Sequence, residues 1–150
     1  MDKYDTRILS VLQQDGRISW AKLAERINLS PSACQRRVET LVDQGVIESF
    51  TISLNEVALG HNVKAFVAVN MDRQSPGLAE AFRRRVREHP QVQACHMLSG
   101  SIDFMLEVVA KDLDSFGQFI DGELLSMPAV KDASSSIVLK VVKKKRTMIF

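Results

Sequence analysis

Between Gly45 and Val46 the hydrophobic period of this chain changes. Up to Gly45, apolar residues recur three or four positions apart, which lines one face of a helix. Over residues 46–54, apolar positions alternate with Ser49, Thr51 and Ser53, which lines one face of a strand. The chain therefore joins a helical N-terminal part to a sheet-bearing part with its own core. Tyr4, Ile8 and Leu12 mark a first helix, with Leu9 and Val11 beside them, closed by Asp15-Gly16. Trp20, Leu23, Ala24 and Ile27 mark a second, begun by Ser19 as N-cap and ended by Asn28. Tyr4 and Trp20 read as packing residues. Ser30 caps a third helix, and Pro31 follows at the first helical position, where its missing N–H has no intrahelical partner to lose. Cys34, Val38, Leu41 and Val42 form its inward face, and Gly45 stops it.

The second half alternates types. Residues 63–70 read as a strand, Leu78, Phe82 and Val86 mark a helix ending near His89-Pro90, and residues 92–98 read as a strand. After the turn Ser99-Gly100-Ser101 comes a strand over 102–110. Leu113, Phe116, Ile120 and Leu124 then mark a helix stopped by Met127-Pro128, and 130–142 reads as a long last strand. The order β-α-β-β-α-β is the ferredoxin-like split unit. The predicted class is α+β: a three-helix, winged helix-turn-helix over residues 1–54, a join over 55–62, and a ferredoxin-like domain over 63–150.

Two short helices separated by a turn containing Asn28 and Leu29 fit the motif that places its second helix in the DNA major groove. With Val38 inward, Ser32, Ala33, Arg36 and Thr40 face outward, with Arg37 on the flank. A guanidinium can read guanine or hold phosphate, and a serine hydroxyl does either more weakly. The N–H groups at Ser30 to Ala33 suit a phosphate. Arg17, Ser19 and Lys22, at the start of the second helix, are candidate backbone anchors. A solvated helix face explains Arg36 and Arg37 equally on composition alone. The cap, proline and helix following a short first helix favour DNA.

Charge does not decide the matter, because 20 basic and 18 acidic residues leave a formal net charge of +2. Cys34 and Cys95 stand in no metal-ligand or disulfide spacing, which suits a reducing cytosol. The polar start and the lack of a long apolar run predict a cytoplasmic protein without a signal peptide or membrane span. His61, His89 and His96 are scattered, and His96 with Asp103 is the only pair worth testing as an acid–base couple. No enzyme, metal or cofactor is predicted. Arg83, Arg84, Arg85 and Arg87 read as a solvated helix face, or as a contact for DNA wrapped around an oligomer. Lys143-Lys144-Lys145-Arg146 admits the same two readings, and the apolar end Met148-Ile149-Phe150 suits docking on a neighbouring subunit.

The ordered set Asp15-Gly16-Arg17-Ile18-Ser19, Leu23-Ala24-Glu25-Arg26, Leu29-Ser30-Pro31-Ser32-Ala33-Cys34, Arg36-Arg37-Val38 and Gly45-Val46-Ile47 resembles the Lrp/AsnC, or feast/famine, family of regulators. His89-Pro90-Gln91-Val92, Ser99-Gly100-Ser101-Ile102-Asp103 and Met127-Pro128-Ala129-Val130 extend the resemblance over nearly the whole chain. The resemblance implies a transcriptional regulator that binds double-stranded DNA. It implies homodimers, built by the strand from Val46 and the second domain's sheet, that assemble further, commonly to octamers. It also implies an amino-acid effector near Ser99, Gly100, Ser101, Ile102 and Asp103, with Ser134 and Ser136 contributing from nearby. The loop departs from the family pattern at Ser101 and Ile102, where an acidic and an aromatic residue are usual, so the effector's identity stays open.

Overall fold

The computed structural model describes residues 1–72 and 76–143. The chain divides into two compact units, one built from Met1–Ser53 and one from Leu54–Val142.

In the first unit, α1 spans Lys3–Leu12, α2 Trp20–Ile27 and α3 Pro31–Asp43. Each begins on a side-chain cap: Asp2 for α1, Ser19 for α2 and Ser30 for α3. Each cap supplies an acceptor to N–H groups that have no partner within the helix. At the N-terminus of α1 the exchange is reciprocal. Asp2 accepts from the Tyr4 and Asp5 amides, while its own N–H donates to Asp5 Oδ2 at 2.8 Å. Asn28, the C-cap of α2, adopts φ 60°, the left-handed conformation that asparagine tolerates better than most residues. Ile8 and Leu9 of α1, Leu23, Ala24 and Ile27 of α2, and Cys34, Val38 and Leu41 of α3 share one core. Tyr4 packs against this core partly buried.

Two inward-facing expectations do not hold. Trp20 and Val42 are 41% and 42% exposed. Eight buried side chains already fill the space between these short helices. Trp20 and Val42 instead line a groove of about 410 Å³ with Leu12, Ile18 and Phe50.

Residues 46–54 form no strand. The Val46 and Ile47 amides both donate to Leu41 O, closing α3, and Ile47 packs on the helical core. Beyond it, Phe50, Ile52 and Leu54 are 56%, 72% and 56% exposed. An alternating pattern states which face wants burial, but a strand also needs a partner's N–H and C=O groups. No described residue supplies them.

The stretch read as a join is folded onto the second unit. It carries a 3-10 turn over Val57–Leu59, and both the Asn62 amide and its side-chain Nδ2 donate to Lys111 O. Lys64 Nζ pairs with Glu107 and, at 3.1 Å, with Glu56. Burial works against the Lys64 charge, but these two carboxylates outweigh it and hold its pKa above the ordinary lysine value.

The second unit runs β1 Val63–Met71, α4 Pro76–Glu88, β2 Val92–Met97, β3 Phe104–Ala110, α5 Leu113–Gly117 and β4 Val130–Ile137. After α5 the helix widens to a π-helical stretch over Gln118–Leu124. The sheet order is β2-β3-β1-β4 and every pairing is antiparallel, as the ferredoxin-like unit requires. Ala65, Val67 and Val69 of β1 and Leu106 and Val108 of β3 face Phe82 and Val86 of α4 and Phe116, Phe119 and Leu124 of the second helix. Alternate residues, among them Phe66, Ala68 and Asn70, lie on the opposite face.

The last strand is shorter than expected and stops at Ile137. Ile137 pairs with Ala65, and the Val138 amide makes one more bond to Lys64 O. β1 extends only two residues past Ala65, to Val63, so residues beyond 139 have no strand among the described residues to pair with; Leu139 and Val142 are 96% and 92% exposed. Lys144 to Phe150, including most of the basic tail, lie outside the described residues.

Candidate nucleic-acid interface and ligand loop

The N-terminal end of α3 is built from its cap. Ser30 Oγ accepts from the Ala33 amide at 3.2 Å and lies 3.2 Å from Ser32 Oγ. Ser30, Ser32, Arg36 and Thr40 are exposed and Ala33 is half-buried, the burial pattern expected of an outward face. Thr40 Oγ1 donates to Arg36 O, one turn back. Ser19 caps α2 by accepting from the Lys22 amide, and the Arg17 amide donates to Asp15 Oδ1. Among the described residues, the charged heads of Arg17, Lys22 and Arg36 have no hydrogen-bond or ion-pair partner. They are available cations beside a helix N-terminus whose amides favour negative charge.

Arg37 sits on the flank of α3, as its spacing predicts, but its guanidinium is engaged. Its Nη1 lies 2.8 Å from Asp5 Oδ1 and 2.9 Å from Asp2 Oδ2, and its guanidinium carbon sits 5.4 Å from the Tyr4 ring centroid. The hydrogen bond it donates to Asp5 leads in raising its pKa above the ordinary arginine value, against slight burial. As placed, Arg37 is tied across to α1 and is not a free phosphate ligand. Residue spacing along α3 put it on the flank correctly. What spacing could not show is that the N-terminus of α1 would stand there with two carboxylates.

The loop between β2 and β3 holds the expected effector residues. Gly100 has φ 136°, a conformation that side-chain-bearing residues rarely adopt, and Ser99, Gly100 and Ser101 are exposed. The Leu98 amide donates to Asp103 O, closing the loop at 2.9 Å. The Asp103 carboxylate accepts from the Met71 amide at 2.8 Å, where β1 ends. Ile102 and Asp103 are half-buried. Ser134 and Ser136 pair in register with Ala68 and Phe66. Within one protomer β1 therefore stands between these serines and the β2–β3 hairpin, a separation of roughly two strand spacings, or ~10 Å.

Asn70 is a residue that sequence reasoning missed. Its Nδ2 donates to Asp132 Oδ1 at 2.9 Å, which fixes the amide's orientation and leaves its buried Oδ1 without a hydrogen-bond partner among the described residues. This acceptor is one residue from Met71, whose amide holds Asp103. Nothing in the one-dimensional pattern marks Asn70, which falls at the end of the strand read over residues 63–70. His96 is exposed on β2. Among the described residues, no group of three or more His, Cys, Asp or Glu is arranged to hold a metal ion, and no helix is long and apolar enough to cross a membrane.

Comparison with known proteins agrees with both halves of this geometry. Residues 1–48 match the winged helix-turn-helix DNA-binding family, and residues 64–148 match the Lrp/AsnC ligand binding domain. Transcriptional regulator AzlB of Bacillus subtilis is 39% identical over 144 residues, covering 96% of this chain and 92% of its own. The leucine-responsive regulatory protein of Escherichia coli is 34% identical over 149 residues, covering 99% and 91%. A transcriptional regulator of Neisseria meningitidis, solved as a complex with L-methionine, superposes with a TM-score of 0.95 at 36% identity, over 99% of this chain and 96% of that one.

Proposed function

Since this chain belongs to the Lrp/AsnC family of transcriptional regulators, we propose that it reads DNA with the outward face of α3 and answers to an amino acid held at the β2–β3 loop. The observation that carries the DNA half is the exposed N-terminus of α3. Ser30 caps it with the Ser32 hydroxyl alongside, Arg36 lies one turn beyond Ser32, and Arg17 and Lys22 stand at the start of the preceding helix without partners among the described residues. Arg36, Ser32 and Thr40 meet base edges, while Ser30, Ala33, Arg17, Ser19 and Lys22 hold phosphates.

The amino-acid half rests on complementary chemistry. The half-buried Asp103 carboxylate is an acceptor for an α-ammonium, and the loop amides around Gly100 are donors for a carboxylate. That the Neisseria relative was solved with L-methionine supports this class of ligand. The exposed Phe50, Ile52 and Leu54, and the helix-free sheet face bearing Phe66, support a homodimer that assembles further, to an octamer in the fullest form. The working compartment is the cytoplasm, where the DNA lies. Effector binding then shifts the balance between assemblies and so between the half-sites reached together.

The test has two arms. Duplex selected from a random pool by the full-length protein is footprinted with and without a mixture of the common amino acids. Calorimetry then measures each amino acid against wild type, Gly100→Ala and Asp103→Asn. Sequence-specific protection that an amino acid alters, and its loss in both variants, is the expected result. Absence of any amino-acid binding to wild type, or normal binding by both variants, would reject the loop as the effector site.

A further inference from the structure

Arg36 and Arg37 are neighbours on α3 with opposite fates. Arg36 is exposed and its guanidinium has no partner among the described residues, whereas Arg37 reaches 32 positions back to Asp5. We propose that Arg37 is a positioning residue for sequence recognition: by gripping Asp2 and Asp5 of α1 it sets the roll of α3, so that Ser32, Arg36 and Thr40 meet base edges in register. This rests on the reading that α3 enters the groove.

Three observations support it. The contacts of α3 with the helical core are otherwise apolar, through Cys34, Val38 and Leu41, and apolar contacts are not directional. Arg37 Nη1 donates to Asp5 Oδ1 and is ion-paired with Asp2, and a charge-assisted hydrogen bond is directional and strong. The far end of the grip is itself rigid, since Asp5 also accepts from the Asp2 amide and its side chain is only 14% exposed. The Tyr4 ring, 5.4 Å away, adds a third boundary. Rolling a helix by about 20° moves a side-chain tip that lies about 6 Å from the axis by about 2 Å. That displacement breaks a hydrogen bond to a base edge. A phosphate contact made by a long flexible cation survives it. Releasing Arg37 therefore erodes selectivity before it erodes general affinity.

The test compares full-length wild type, Arg37→Met, Arg37→Lys, Asp5→Asn and Arg36→Ala. The probes are a duplex selected by wild type from a random pool and an unselected duplex of equal length. Affinities are measured across a salt series, well below each variant's melting temperature, with circular dichroism confirming the fold. Arg37→Met and Asp5→Asn are expected to lose about tenfold on the selected duplex, the size of one base contact. On the unselected duplex they lose less than about twofold, with the salt slope unchanged. Arg37→Lys is expected to recover part of the selectivity. Asp5→Asn is the sharpest variant, because removing a negative charge should tighten binding to both duplexes if only the field mattered. Tightening by Asp5→Asn overturns the proposal. So does equal weakening on both duplexes by Arg37→Met with a slope lower by about one, which marks a phosphate ligand. Unchanged selectivity in Arg36→Ala removes α3 as the reader and the positioning role with it, a different failure from the loss of Arg37's role alone.

Discussion

Under the proposal that the start of α3 faces the phosphate backbone, folding and DNA binding make separable demands on Ser30, so changing it to alanine or to aspartate should move the two apart. Ser30→Ala removes the acceptor for the Ala33 amide, a bond of 3.2 Å, together with the contact to Ser32. Losing an N-cap of this kind costs about 1 kcal/mol. Ser30→Asp keeps an acceptor at the cap and adds a negative charge at the positive end of α3, which contributes roughly 0.3–1 kcal/mol of its own. Thus the aspartate variant should be as stable as wild type or slightly more so. Toward DNA the sign reverses. A carboxylate roughly 6 Å from a phosphate is repelled by about 0.7 kcal/mol at the dielectric of water and about 3 kcal/mol at the effective value near a protein surface. Those energies bracket a loss of roughly 3-fold to 100-fold in affinity. Urea denaturation reports the first quantity, and fluorescence anisotropy with a labelled duplex at two salt concentrations reports the second. Gln93→Glu, on exposed β2 in the other unit, controls for net charge. Undiminished DNA affinity in Ser30→Asp would mean that the start of α3 does not face the phosphate backbone. Undiminished stability in Ser30→Ala would mean that the cap is not holding the helix end.

Leu23 is fully buried at the centre of the helical core, so Leu23→Ala should destabilise that unit by about 3 kcal/mol. Calorimetry should show its transition shifted down while that of the unit spanning Leu54–Val142 stays in place. A single transition shifted as a whole would show that the two units melt together. The Asp5 amide leads in lowering the Asp2 pKa below its ordinary 3.8; slight burial opposes it, and the Tyr4 amide and Arg37 assist. Because the folded value lies below the unfolded one, this contribution is fully present above about pH 4 and is lost as pH falls through the folded value. Asp2→Asn, which can still cap, should therefore flatten the acid limb of the helical unit's stability; an acid limb unchanged from wild type would assign that limb to other carboxylates.

Much of this protein was written in short-range signals. Ser19, Ser30-Pro31, Asn28 and Gly45 announced the ends of α2 and α3 because caps and left-handed stops depend on the residue itself and its near neighbours. The β-α-β-β-α-β order was legible because apolar residues alternate on strands that cover one core and recur at helical spacing on the helices packed against it. The outward set Ser32, Arg36 and Thr40 followed from the same periodicity once Val38 was placed inward. Tertiary structure alone decided matters that depend on what lies across a gap. Val46 and the residues after it carry a strand's pattern without a strand, because pairing needs a second set of backbone groups that no described residue provides. The last strand could not run on to residue 142 because its partner β1 begins at Val63, opposite residue 139. Trp20 and Val42 stayed outside because eight other side chains had filled the core. Arg37 turned to α1, and the Asn70 amide turned to Asp132, because carboxylates distant in sequence arrived beside them. A sequence states what each segment can satisfy locally, while partners that meet only on folding determine which long-range polar and apolar demands are met.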